Sequence, residues 1–196
     1  AYSDLHVFFK NKNIVFSGNP VRGELKVKVS KIKSIEYFNL NPKRPVVLII
    51  GGSLGAEPIN KIISKSLKFI ENENLQIIWQ TGSIHYQKYQ HLQSSNVKIF
   101  NFIDHMNFAY NASDIVISRA GAIAISEICL LRKASILIPS PYVSDNHQYK
   151  NAKTLENNLA TCLILQNDLD SMFFEKLKHL IDNKDFRTQI AENAYL

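Results

Sequence analysis

No apolar run in these 196 residues approaches the roughly 18 that a membrane-spanning helix needs. The amino end also lacks the charged-then-apolar pattern of a secretory signal. Together these absences lead us to expect a soluble chain in the cytoplasm. Cysteine is scarce: Cys129 and Cys162 each stand among aliphatic neighbours, which reads as two small core residues and not as a disulfide or metal pair. The six histidines show no zinc-type spacing, so no metal is expected. Aromatic and basic residues do not alternate in the way that stacks bases, so nucleic acid is not an expected partner despite a formal charge of +6. The chain holds neither an internal repeat nor a low-complexity tract.

What is present is ordinary globular material, 45% hydrophobic and 20% charged, enough for one compact core that hides about 70% of the unfolded surface. Seven basic residues fall between Arg22 and Arg44 against only Glu24 and Glu36. That density reads as a solvated lysine-rich connector, with an anionic surface or ligand as the alternative.

From Val46 onward short apolar runs alternate with amphipathic ones. The pattern predicts strands at 46–50, 75–80, 97–102, 114–118, 134–139 and 161–165. Helices are predicted over about Ala56 to Ile70, 84–93, from Asp104, 122–131 and 146–158, followed by two terminal helices. Six strands alternating with helices specify right-handed crossovers and a doubly wound α/β parallel sheet. Ahead of it stand an apparent helix (Asp4 to Phe9), a strand (Ile14 to Ser17) and the turn Gly18-Asn19-Pro20. Ligands of such sheets lie outside the carboxyl ends of the strands, so the segments after the strands are where chemistry belongs.

The first of these, Gly51-Gly52-Ser53-Leu54-Gly55, fits two chemistries. Gly-x-Ser-x-Gly is the nucleophile elbow of α/β hydrolases, and Ser53, Asp114 and His147 or His179 stand in that fold's chain order. Against this, Ser53 follows the first strand, whereas the elbow strand normally follows several. The other reading is a strand-to-helix turn whose amides, hydroxyl and helix end hold a phosphate; the bland one is glycines packing strand on helix. Glu127 follows the glycine turn after the fourth strand, where a carboxylate suits paired ribose hydroxyls, or else is a surface helix acid. Asp145 to Asn151 combines a helix start with side chains able to read sugar hydroxyls. Asp168-Leu169-Asp170 resembles a metal clamp but precedes an apolar-periodic helix, so capping explains it better.

Taken together, GNPVR (18–22), GGSLGA (51–56), FIDHM (102–106), SRAGAIAISEI (118–128) and DNHQYKNA (145–152) resemble the carboxyl-terminal half of the peptidoglycan UDP-N-acetylglucosamine transferase family. The resemblance runs over nearly the whole chain in matching order. It implies a Rossmann-like donor-binding domain, one half of a GT-B glycosyltransferase. It implies transfer, with inversion, of N-acetylglucosamine from UDP-N-acetylglucosamine onto the undecaprenyl-diphosphate-muramoyl-pentapeptide acceptor (lipid I). No cofactor is implied. The setting would be peripheral, at the cytoplasmic face of the bacterial plasma membrane, with its anionic surface as a partner of the full-length protein.

By the same resemblance residues 1–24 form an interdomain hinge and 25–196 the donor domain, the acceptor domain having no counterpart here. Ser53 with the amides of Leu54, Gly55 and Ala56 would hold the diphosphate, and Arg22 would approach it from the hinge. Ile103 and Met106 would flank the uracil, with Ile103 backbone groups reading its edge. Gly121, Ala122 and Ile123 would approach the nucleotide, Glu127 would take the ribose hydroxyls, and His147, Gln148 and Asn151 would meet the sugar. Leu54 stands where some members have Gln, and Ala124 where many have Thr, which removes a hydroxyl contact to phosphate. No catalytic residue is implied within this half.

Overall fold

A computed structural model describes residues 18–195, so the helix and strand expected at 4–9 and 14–17 lie outside it. Six parallel strands, β1 (Val46–Ile50), β2 (Gln76–Gln80), β3 (Val97–Phe100), β4 (Ile115–Ser118), β5 (Ala134–Leu137) and β6 (Cys162–Leu163), form one sheet in the order β3-β2-β1-β4-β5-β6. β1 lies at the centre, with Val46 opposite Gln76 on one side and Val47 opposite Ile115 on the other. A parallel sheet covered on both faces needs apolar residues on both, and the whole run Val46 to Ile50 is buried.

Alternation along the strands splits the core into two layers. Val47, Ile49, Ile77, Trp79 and Ile117 point to one side, where they meet α2 (Glu57–Lys65), α3 (Leu67–Asn72), α8 (Leu169–Asp182) and α9 (Lys184–Asn193). Leu48, Ile50, Ile78 and Val116 point to the other, toward α1 (Lys31–Tyr37), α5 (Met106–Ala112), α6 (Ala122–Leu130) and α7 (His147–Asn157). The remaining helix, α4 (Tyr86–Tyr89), is a single turn. No helix among the described residues is long and apolar enough to cross a membrane.

Several boundaries differ from the sequence reading. The stretch from Arg22 to Arg44 is not a solvated connector: it holds a 3-10 turn (Gly23–Lys26) and α1, and it buries Leu25, Ile35, Phe38 and Leu40. Four widely spaced apolar residues among lysines hid that helix. The helix expected over 56–70 divides at Ser66, whose hydroxyl bonds the Ile62 carbonyl at 2.6 Å and competes with the helical ladder. The helix expected over 84–93 contracts to α4 and a 3-10 turn at Gln90–Leu92. The strands expected at 97–102, 134–139 and 161–165 end two residues early, at Phe100, Leu137 and Leu163, where the chain turns away into the loops.

Candidate functional site

Those loops converge at the carboxyl edge of the sheet. After β1 the chain turns with Gly52 and Gly55 both at φ +89, and the Gly55 amide donates to the Gly52 carbonyl at 3.2 Å. Gly55 packs face to face with Gly82, at φ +84, in the loop after β2. A Cβ on Gly55 would lie 2.0 Å from the Thr81 carbonyl oxygen, and one on Gly82 would lie 2.1 Å from the Gly55 nitrogen. Only glycine allows both the torsion and the approach. Gln80, the last residue of β2, ties the loops together: its amide donates to the Gly52 carbonyl at 3.0 Å and its carbonyl accepts from the Ile103 amide at 2.9 Å. The result is a fixed turn with Ser53 and Leu54 exposed at its tip, leading into the amino end of α2.

That helix end is not bare. Glu57, its first residue, accepts hydrogen bonds from Lys88 and, at 3.1 Å, from the Tyr89 hydroxyl, with His85 Nδ1 at 3.2 Å from its other oxygen. Burial raises the Glu57 carboxyl, but the Lys88 and Tyr89 hydrogen bonds outweigh it and hold the pKa below the usual carboxylate value.

Beside the turn, Gly51, Gly55, Glu57, Arg119, Gln148 and Gln166 line a hollow of about 320 Å³. Arg119 follows β4. Its guanidinium donates to the carbonyls of Ile138 (3.1 Å) and Pro139 (3.0 Å) and to Gln166 Oε1 (2.7 Å). All three acceptors are neutral, and burial lowers its pKa to about 10. It is a cation held by dipoles, with no ion pair among the described residues. Gln148 faces the same hollow and accepts from the Ser140 amide at 2.9 Å, which leaves its NH₂ as a donor. The loop before it contains two consecutive left-handed residues, Asp145 and Asn146, both at φ 52, so α7 begins without the side-chain cap its sequence suggests.

A second cluster lies between α5 and α6. Glu127 is 2% exposed. Its Oε2 accepts from the Tyr110 hydroxyl at 3.1 Å, and Arg22 Nε stands 3.4 Å from Oε1, which has no hydrogen bond among the described residues. The segment carrying Arg22 runs across this region: Glu24 accepts from the Met106 amide at 3.2 Å, and Asn19 donates to the Ser126 hydroxyl at 3.1 Å.

The structure thus gathers the expected residues into two groups. Ser53, Leu54, Gly55 and Gln148 share the first region. His147 is exposed nearby, its Nδ1 2.8 Å from the Ser144 carbonyl, and Asn151 donates to the Ala120 carbonyl at 3.3 Å. Gly121, Ala122 and the exposed Ile123 open α6, which carries Glu127. Three positions differ from expectation. Arg22 sits on Glu127 and not at the β1 turn. Ile103 and Met106 are 2% and 1% exposed, core floor and not an open pair of side chains. The Ile103 amide is committed to Gln80, so only its carbonyl is left to read a base.

The hydrolase triad does not assemble. Asp114 accepts from the amide of Val46, at the amino end of β1, a strand's length of about 16 Å from the turn that carries Ser53. Asp168 makes no side-chain cap and Asp170 pairs with Lys65, while no group of three or more metal-ligating side chains occurs among the described residues. Sequence reasoning missed Arg119, Tyr110 and Gln80. A glutamine closing an apolar strand was a signal for Gln80; Tyr110 had none.

A six-stranded parallel sheet with a glycine turn after its central strand and a cation at the topological switch point defines a Rossmann-like α/β domain, the architecture of one half of a GT-B glycosyltransferase. Residues 46–195 match the "Glycosyltransferase family 28 C-terminal domain", and the chain belongs to that family. It is similar to the UDP-N-acetylglucosamine--N-acetylmuramyl-(pentapeptide) pyrophosphoryl-undecaprenol N-acetylglucosamine transferase of Flavobacterium psychrophilum, 39% identical over 98% of this chain and 53% of that protein. The crystal structure of Acinetobacter baumannii MurG superposes with a TM-score of 0.70 at 29% identity, over 93% of this chain and 52% of that one. The glycosyltransferase SnogD of Streptomyces nogalater, at 13% identity and TM-score 0.57, shares the fold. The chain spans about half the length of the curated relatives it matches.

Proposed function

We propose that this chain is the donor-binding domain, residues 25–196 with 1–24 as hinge, of the transferase that moves N-acetylglucosamine from UDP-N-acetylglucosamine to lipid I. The whole protein would work peripherally at the cytoplasmic face of the bacterial plasma membrane, its acceptor held mainly by another domain. The observation that supports this best is the single hollow where the β1 glycine turn, Arg119 and Gln148 meet. Turn amides and a guanidinium there suit a departing diphosphate without a metal, and Gln148 suits a sugar hydroxyl. Glu127 is the ribose acceptor in this reading, and binding requires Arg22 to yield its place or share the carboxylate. Calorimetry and thermal shift with UDP and UDP-N-acetylglucosamine test it: the chain should bind both without turnover, more weakly than a closed two-domain enzyme. Absence of heat and of thermal shift at millimolar UDP would overturn it.

A further inference from the structure

A surface of this chain that the donor site does not use lies around α1. Val27, Ile32 and Tyr37 are 59%, 62% and 50% exposed. Lys26, Lys28 and Lys33 stand exposed between them and form no ion pair among the described residues, while Lys31 is tied to Asp114. Glu36 is the one acid on the exposed face of α1. Lys28, Val29, Ser30, Lys33 and Phe108 enclose a hollow of about 460 Å³. The Tyr37 ring lies 4.6 Å from Phe108 and 5.7 Å from His105.

We infer that this face docks on an anionic phospholipid surface, with Ile32 and Val27 entering the headgroup boundary and Lys26, Lys28 and Lys33 meeting lipid phosphates. Protruding aliphatics ringed by lysines, with an aromatic at their margin, match the composition of interfacial anchors, and the lysine stems extend the apolar area. The charge excludes a second copy of the chain, since a two-fold interface would set the same lysines against each other. Single protruding side chains also suit a deformable layer better than the fitted surface of a protein partner. The inference deepens the membrane reading above and rests on it only for the choice of partner; donor binding plays no part in it.

The test is flotation of the 196-residue chain with phosphatidylcholine vesicles, with and without phosphatidylglycerol. Binding should require the anionic lipid. The double variant Lys28→Glu/Lys33→Glu should lower the partition coefficient about tenfold or more. Lys68→Glu/Lys184→Glu, an equal charge change at exposed lysines of α3 and α9 on the other face of the sheet, should lower it far less. Equal losses would mean unspecific attraction by net charge and would overturn the inference, as would an unmutated chain that ignores anionic vesicles or instead pairs with itself. Should the α1 double variant not fold, Ile32→Trp decides alone: Trp79, the sole natural tryptophan, is fully buried, so quenching by brominated lipid reports whether position 32 enters the bilayer. An unquenched signal refutes it. UDP binding measured on the same samples keeps a failed donor reading distinct from a failed membrane surface.

Discussion

Glu127 stands in the most closely determined environment of any proposed ligand residue, and its neighbours set what each substitution should do. Tyr110→Phe removes the donor to Oε2 and leaves a buried carboxylate short of a hydrogen bond, so stability should fall by about 1–3 kcal/mol in denaturant titration, with the fold retained. Burial comes first among the causes that raise the Tyr110 hydroxyl pKa well above its ordinary value, and the Glu127 charge adds to it, so that hydroxyl stays a donor at physiological pH. Glu127→Gln keeps the shape but replaces one acceptor oxygen with an NH₂ donor and removes the charge. Calorimetry should show UDP affinity reduced by roughly 1.5–3 kcal/mol, and the variant should hardly distinguish UDP from a 2′,3′-dideoxy analogue. An unmutated chain that binds the analogue as tightly as UDP would remove Glu127 from the ribose. The sequence placed this residue after a glycine turn, but its burial and its two partners come from α5 and the segment at 22, far away along the chain.

Among the elements, the paired loops after β1 and β2 behave as one part. Gly82→Ala combines a positive φ with a clash against backbone, so nothing flexible can give way. The expected cost is on the order of 3 kcal/mol, seen as a lowered melting temperature, together with weaker UDP binding because the β1 turn is displaced. A stability loss with unchanged UDP affinity would detach that turn from the ligand. At the opposite edge, Lys133 precedes β5 with its amine donated to the Ser113 carbonyl, and burial lowers its pKa to about 8 from 10.5. Because the folded state binds this proton less tightly than the unfolded chain does, stability should rise with pH between about 8 and 10.5. Below pH 8 the full penalty applies. Lys133→Met should therefore stabilise the protein at pH 7 by about 1–2 kcal/mol and flatten that rise. Equal slopes in the two proteins over that window would show that the amine titrates normally. Six strands and most helices were readable as periodicities, yet α1 was not: it buries only Ser34 and Ile35, too few to stand out among lysines.

For the whole molecule, a ligand that bridges the β1 turn and the α5–α6 cluster should stabilise the chain by mass action, by about 2.7 kcal/mol at a UDP concentration 100 times Kd. A thermal shift independent of UDP concentration would contradict that. The sequence by itself determined the doubly wound sheet, because alternation of apolar period is a local property that each segment carries alone. It also pointed to the carboxyl edge of the sheet as the place to seek a ligand, since parallel strands bring their carboxyl ends to one side. Tertiary structure alone decided that Arg22 meets Glu127, that Ile103 and Met106 form floor and not wall, and that Arg119 is a cation held by neutral acceptors. Each depends on pairings between residues dozens of positions apart, set by which helix packs on which face of the sheet, and no local pattern records that choice.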